Sequence, residues 1–304
     1  MLSRAFITGG SGLLGLNFLM HSSEKYQLYA IENKRPIKLD GVELVKMDLG
    51  DLSSIERGLK YYHPQLVIHA AAMTNVDSCE EDPDQANFVN GTLTANIAKV
   101  CYELGTKFVY ISTDHLFDGN SSFVSEETST KPLNAYGASK ALGEEFTFQN
   151  NPDALVIRCN FFGWGPSYKA SFSDFIFDNL SKKKSICLAE DIFYTPALAQ
   201  NVIEGFQGLV GLGASGIFNI VGSERLSKYE FGLKMAKIFE WDPNLIRKVS
   251  WDSLGAVAKR PADMSLDDSK LRQTLGYDLG TASRNIQQLK AMIGMKVFNE
   301  VRKL

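Results

Sequence analysis

An α/β fold, a doubly wound parallel sheet with a smaller, mostly helical region behind it, is predicted by three features of the chain. Short apolar runs alternate with helical stretches through its first half. Those runs are nearly free of polar residues, as strands covered on both faces should be. A glycine-rich turn, FITGGSGLLG at residues 6 to 15, follows the first run and opens the first helix.

The elements follow in order. Arg4 to Thr8 reads as a strand and Leu13 to His21 as a helix. Gln27 to Glu32 and Val42 to Met47 are strands, then Ser53 to Tyr61 is a helix. Leu66 to Ala71 is a strand, Asp84 to Leu104 one long helix, and Lys107 to Ser112 a strand. Asn134 to Asn150 is a helix and Ala154 to Arg158 a strand. Such spacing implies parallel strands with crossover helices.

After Arg158 the rhythm changes. Residues 160 to 171, rich in Phe, Gly, Trp and Ser, read as a loop, and Ser173 to Lys182 as a helix. Gly213 to Val221 reads as a strand returning to the sheet. Ser227 to Phe239 is amphipathic, and beyond Ser250 loops alternate with two helical stretches. The expected division is a dinucleotide-binding domain at 1–158, with 192–222 returning to it. Residues 159–191 and 223–304 then form a smaller, mostly helical substrate-binding region capping one edge of the sheet.

The 304 residues are 44% hydrophobic, enough for a sizeable core. With 32 basic and 35 acidic residues, no electrostatic case for nucleic acid arises. Cys79, Cys101, Cys159 and Cys187 stand singly, as buried thiols of a reducing compartment would. The first strand starts almost at Met1, and no apolar run approaches the ~20 residues of a membrane span. A cytoplasmic protein is expected.

Gly9, Gly12 and Gly15 lie at a strand-to-helix junction. There Gly9 allows a tight turn, Gly12 lets a pyrophosphate approach the main chain, and Gly15 lets the helix pack close. Ser11, Leu13 and Leu14 complete the turn, whose helix N-terminus favours an anion. This is the Rossmann-type signature. Glu32, at the end of the second strand, could accept from a ribose 2′-hydroxyl, whereas Lys34 and Arg35 could pair with a 2′-phosphate. NAD and NADP both stay open. Asp48, with Leu49, is placed for the adenine amino group.

Tyr136 and Lys140 are four apart on a helix and so share a face. A neighbouring cation favours a phenolate, so Lys140 should lower the Tyr136 pKa and fit it for proton exchange. Thr113, rather than Ser112, can donate to a carbonyl oxygen at the carboxyl edge of the sheet, where ligands bind in open α/β folds.

With these motifs the chain resembles the extended short-chain dehydrogenases/reductases, and most of all the dTDP-4-dehydrorhamnose reductase group. The resemblance is carried by HAAAMTNVD at 69–77, STDHLFDG at 112–119, PLNAYG at 132–137 and RPADMSL at 260–266. It implies that hydride from NAD(P)H reduces the 4-keto group of a nucleotide-activated 6-deoxy sugar. Tyr136 would protonate the nascent alkoxide, Thr113 would hold that oxygen, and Lys140 would bind the nicotinamide ribose. Ala70, Ala71 and Ala72 would line the cofactor; Thr74, Val76, His115, Asn160, Phe161 and Trp164 the sugar nucleotide. Arg260 resembles an arginine used against the diphosphate.

There are departures. His115 stands where the group carries tyrosine, Phe161 where it carries tryptophan, and Asn17 where some members carry a glutamate of a metal-bridged dimer. No metal is therefore expected, and His21, His63 and His69 have no ligand spacing. A homodimer is compatible with the resemblance. Epimerisation needs the same Tyr136 and Lys140 and stays open, whereas the Asp114-His115 pair argues against dehydration. One branch of the group acts instead as a regulatory subunit of methionine adenosyltransferase.

Overall fold

The structure, a computed structural model, describes residues 2–31, 37–255 and 257–304. The first half contains β1 (Ser3–Thr8), α1 (Leu13–His21), β2 (Tyr26–Ile31), β3 (Val42–Val45), α2 (Leu52–Tyr62) and β4 (Leu66–His69). Next come α3 (Val76–Glu81), α4 (Pro83–Asn87), α5 (Leu93–Glu103), β5 (Lys107–Ile111), α6 (Ala135–Asn150) and β6 (Leu155–Arg158). Beyond them lie β7 (Phe161–Phe162), α7 (Phe172–Leu180), β8 (Ile186–Ala189), β9 (Phe193–Tyr194), β10 (Ala197–Leu198), α8 (Ala199–Gly211) and β11 (Gly216–Asn219). The chain closes with β12 (Leu226–Ser227), α9 (Lys228–Phe239), β13 (Ile246–Val249), α10 (Ser269–Leu275), α11 (Ala282–Ala291) and α12 (Lys296–Lys303).

Seven strands form one sheet in the order β11-β6-β5-β4-β1-β2-β3, every pair parallel. Successive residues of β1 point to opposite faces. Ile7 joins Leu16, Phe18, Val202 and Phe206 under α1 and α8. Phe6 joins Tyr29, Val67, Ile97 and Val100 under α2 and α5. The order reverses between β1 and β4, which opens a crevice at their carboxyl ends. A further core, with Phe162, Trp164, Ile176, Phe231, Met235, Ile286 and Leu289, fills the C-terminal region.

Four expectations are corrected. The long helix expected at 84–104 is interrupted by a π-helical turn, Phe88–Thr92. There the Asn90 side chain leaves the helix to bond both backbone groups of Met73 and the Ser139 hydroxyl. Helix α8 was not foreseen within the returning segment, because Gly205, Gly208 and Gly211 weaken its propensity. Two of those glycines instead make room for neighbours. A Cβ would lie 3.1 Å from Ile220 at Gly205 and 3.0 Å from Leu275 at Gly208. The parallel pair β8–β13 was missed, and among the described residues the tail holds three α-helices rather than two helical stretches.

Among the described residues no helix is long and apolar enough to cross a membrane. Cys79, Cys101 and Cys159 are buried, whereas Cys187 is exposed.

Candidate active site

The glycine turn is built as its residues require. Gly9 has φ +70°, and a Cβ there would meet the Ala70 carbonyl carbon at 2.7 Å. A Cβ on Gly15 would strike the Gly9 carbonyl oxygen and come within 2.8 Å of Gly10 Cα. The Gly12 N–H donates to Gly9 O at 2.9 Å and closes the turn. Beside it Thr8 Oγ1 accepts from the Ala71 N–H at 3.0 Å and bonds His69 Nδ1 at 2.7 Å. Burial holds His69 neutral, with its pKa lowered to about 3. This network fixes the alanines after β4 against the turn.

Two cavities meet at Gly9. One, about 410 Å³, is lined by Gly9, Gly12, Leu13, Leu14, Gly15, Ala70 and Ala72 along the glycine turn. Its other end holds Thr74, Val76, Thr113, His115, Tyr136, Lys140, Asn160 and Phe161. The other cavity, about 510 Å³, is lined by Asp48, Leu49, Ala71 and, unforeseen, Gly50 and Phe88. An elongated dinucleotide fits this pair: a groove on each side of a turn that admits no Cβ at two positions.

Helix α6 starts on a cap in which Asn134 Oδ1 accepts from the Gly137 N–H at 2.8 Å. Gly137 lies so close to the His115 carbonyl that a Cβ would clash. The close approach sets the Tyr136 ring edge-on to His115, centroids 5.4 Å apart. The Tyr136 phenol faces the Thr113 hydroxyl, which lowers its pKa. Thr113 in turn leans on the Asp114 carboxylate at 3.3 Å and accepts from the His115 N–H at 3.3 Å.

The charge states differ from expectation. Burial pushes the Tyr136 phenol above its ordinary value, and the Thr113 hydroxyl only partly offsets this. Lys140 was expected to lower it. Instead the ammonium donates to Ile111 O at 2.7 Å and lies 4.1 Å from the Tyr110 ring centre. Lys140 is itself lowered to about 7, by burial opposed by Glu144. Asp114 is raised to about 6 by burial, opposed by Lys228 and a 2.6 Å hydrogen bond from Asn160. His115 is lowered to about 3, by burial and then by Arg260 and Lys228, and its buried Nδ1 has no hydrogen-bond partner among the described residues.

Other predicted residues land elsewhere. Trp164 is fully buried in the C-terminal core, its Nε1–H donating to Leu289 O at 3.0 Å, and it does not line the cleft. Arg260 does not line it either: its guanidinium pairs with Asp77 at 3.2 Å and lies 5.4 Å from the Trp251 ring. Ser11 offers its carbonyl to the Tyr168 hydroxyl at 2.7 Å, away from the lining. Glu32, Lys34 and Arg35 lie outside the described residues. No group of three or more His, Cys, Asp or Glu could hold a metal among the described residues.

The sequence reading missed Asp114, Cys159 and the segment 169–172, all in the cleft wall. It also missed Lys228, 3.3 Å from the Tyr194 ring and acting on Asp114. One signal was present. Lys228 is the first residue of a helix with a Ser227–Glu230 capping box, and a cation there opposes the helix dipole.

The chain is 31% identical over 291 residues to the probable low-salt glycan biosynthesis reductase Agl14 of Haloferax volcanii, covering 94% of this chain and 97% of that one. It is 29% identical to methionine adenosyltransferase 2 subunit beta of Rattus norvegicus, covering 92% and 85%. The crystal structure of a hypothetical dTDP-4-dehydrorhamnose reductase from Sulfolobus tokodaii superimposes with TM-score 0.81 at 33% identity, covering 91% and 97%. The dTDP-4-dehydrorhamnose reductase of Bacillus anthracis, in complex with NADP, superimposes with TM-score 0.85 at 24% identity, covering 96% and 99%, a likeness of fold. The RmlD substrate binding domain family matches residues 3–293, and the chain belongs to that family.

Proposed function

We propose that the protein is an NAD(P)H-dependent reductase acting on the 4-keto group of a nucleotide-activated 6-deoxy sugar, as dTDP-4-dehydrorhamnose reductases do. The observation that carries this reading is the convergence of Thr113, Tyr136 and Lys140 on one cleft with the glycine turn. The Haloferax relative, named as a glycan biosynthesis reductase, supports it.

Reduced nicotinamide, when bound, supplies the hydride to the keto carbon. The chain supplies the rest. Gly9, Gly12 and Gly15 admit the pyrophosphate, Asp48 and Leu49 face the adenosine end, and Lys140 takes the nicotinamide ribose. Tyr136, kept protonated by its raised pKa, gives the phenolic proton to the developing alkoxide. Thr113 donates to the same oxygen, and carbonyl polarisation of this kind is worth most in a buried site. Asn160, His115 and Thr74 contact the sugar nucleotide.

Mixing the protein with dTDP-4-keto-6-deoxy sugar and NADH or NADPH, and following the absorbance of the reduced cofactor, tests the reading. Stoichiometric consumption is expected. No consumption with any of several nucleotide sugars, or the same rate after Tyr136→Phe, would remove it. The likeness to methionine adenosyltransferase 2 subunit beta supports a second reading, a cofactor-binding subunit without turnover. A stable complex with an adenosyltransferase and no cofactor consumption would select that one.

A further inference from the structure

Glu144 lies one turn beyond Lys140 on α6 and has no part in the steps above. It is buried, and its carboxylate is heavily engaged. Ser112 Oγ donates to it at 2.6 Å, Arg158 Nε at 3.0 and 3.2 Å, and Arg158 Nη2 at 2.7 Å. Arg158, equally buried on β6, also donates to Glu126 O at 3.4 Å. Desolvating two charges is seldom repaid by their attraction. A buried pair at this place therefore calls for a purpose besides stability.

The backbone supplies one. Ser112, which donates to Glu144, follows Ile111, which accepts from Lys140 at 2.7 Å, and precedes Thr113. Helix α6 is thus fastened twice to the end of β5, where the substrate oxygen would be held. Lys140 is faced by Tyr110 from β5, His69 from β4 and Cys159 just after β6, with Tyr136 one turn before it on α6. Of these, His69 is neutral and the two hydroxyaryl groups and the thiol are held protonated by burial. Among the described residues Glu144 is the carboxylate that acts on Lys140.

We propose that Glu144, pinned by Arg158 and Ser112, is a positioning residue that keeps Lys140 a cation and keeps its helix seated on the end of β5. The catalytic meaning rests on the reduction proposed above, but the primary test does not. Removing the carboxylate removes an attraction for the ammonium, so Lys140 releases its proton at lower pH.

The test is an NMR titration of the intact protein carrying isotopically labelled lysine, with the Lys140 signal identified by its loss in Lys140→Arg. In Glu144→Gln the Lys140 midpoint should fall by about one pH unit. In Glu144→Asp, which keeps the charge, it should stay near wild type. An unmoved midpoint in Glu144→Gln overturns the proposal. If that variant does not fold because Arg158 is stranded, the double variant Glu144→Gln/Arg158→Gln is read against Arg158→Gln alone, so that the two midpoints differ only by the Glu144 carboxylate. Failure of both to fold assigns the pair to structure alone and also overturns it. The alkaline fall of turnover should move down with the midpoint. A wild-type protein that never turns over, yet shows the lysine shift, sinks the reductase reading and leaves this one standing.

Discussion

The indole of Trp164 donates to the carbonyl of Leu289, joining the loop after β7 to helix α11, 125 residues later. Phe177 and Phe298 pack edge-on against the same ring, at 4.8 and 4.9 Å between centroids. Trp164→Phe should therefore destabilise the fold by about 2 kcal/mol, through a lost hydrogen bond and a cavity. The KM for the sugar nucleotide should not change. Denaturant unfolding beside steady-state kinetics checks both; a raised KM at unchanged stability would return the ring to the substrate.

Tyr136→Phe removes the acidic proton and little else, because the ring keeps its edge contact with His115. Turnover should fall by about 10²–10⁴. Cofactor affinity, measured by fluorescence titration, should stay within about twofold.

Gly15→Ala places a methyl against the Gly9 carbonyl and 2.8 Å from Gly10 Cα. Backbone on both sides cannot step aside. A loss of about 1–3 kcal/mol in unfolding free energy is expected, with weaker cofactor binding. Gly41→Ala is a useful control, since nothing lies within 4 Å there. It carries only the strain of its φ of +77°.

Asp114 has its pKa at about 6 in the folded chain, against 3.8 ordinarily, chiefly through burial. Between those values the folded state keeps a proton that the unfolded chain has released. Stability from this group is therefore full below the lower value and lost as the pH rises to the upper one. Asp114→Asn should be the more stable protein at neutral pH, by about 2 kcal/mol, with the advantage shrinking near pH 4. Urea midpoints at both pH values decide it.

Much of the sheet was legible because its strands are covered on both faces and interrupted by helices at regular spacing. The glycine turn was legible for a stronger reason: Gly9 and Gly15 stand where no other residue fits. Tyr136 and Lys140 could be paired from their spacing, but not their charge states. Those depend on burial and on groups from β4, β5 and β6 that only the fold assembles. Trp164 misled for a related reason. Its neighbour Phe161 lines the cleft, and sequence alone does not say which ring of a loop turns inward to a helix 125 residues away. Lys228 went unseen because it reaches the site from α9, far from every motif, although its seat at a helix start was a clue.

Strand β11 lies against β6, with Gly216 opposite Leu155 and Asn219 opposite Arg158, yet it is made nearly sixty residues later. While the chain is still emerging from the ribosome, the outer rim of β6 has nothing to pair with, and a bare rim recruits other chains. A fragment stopped at residue 158 would be a sheet with one sticky bare edge rather than a portable nucleotide-binding module, and truncation experiments should keep the chain through Asn219.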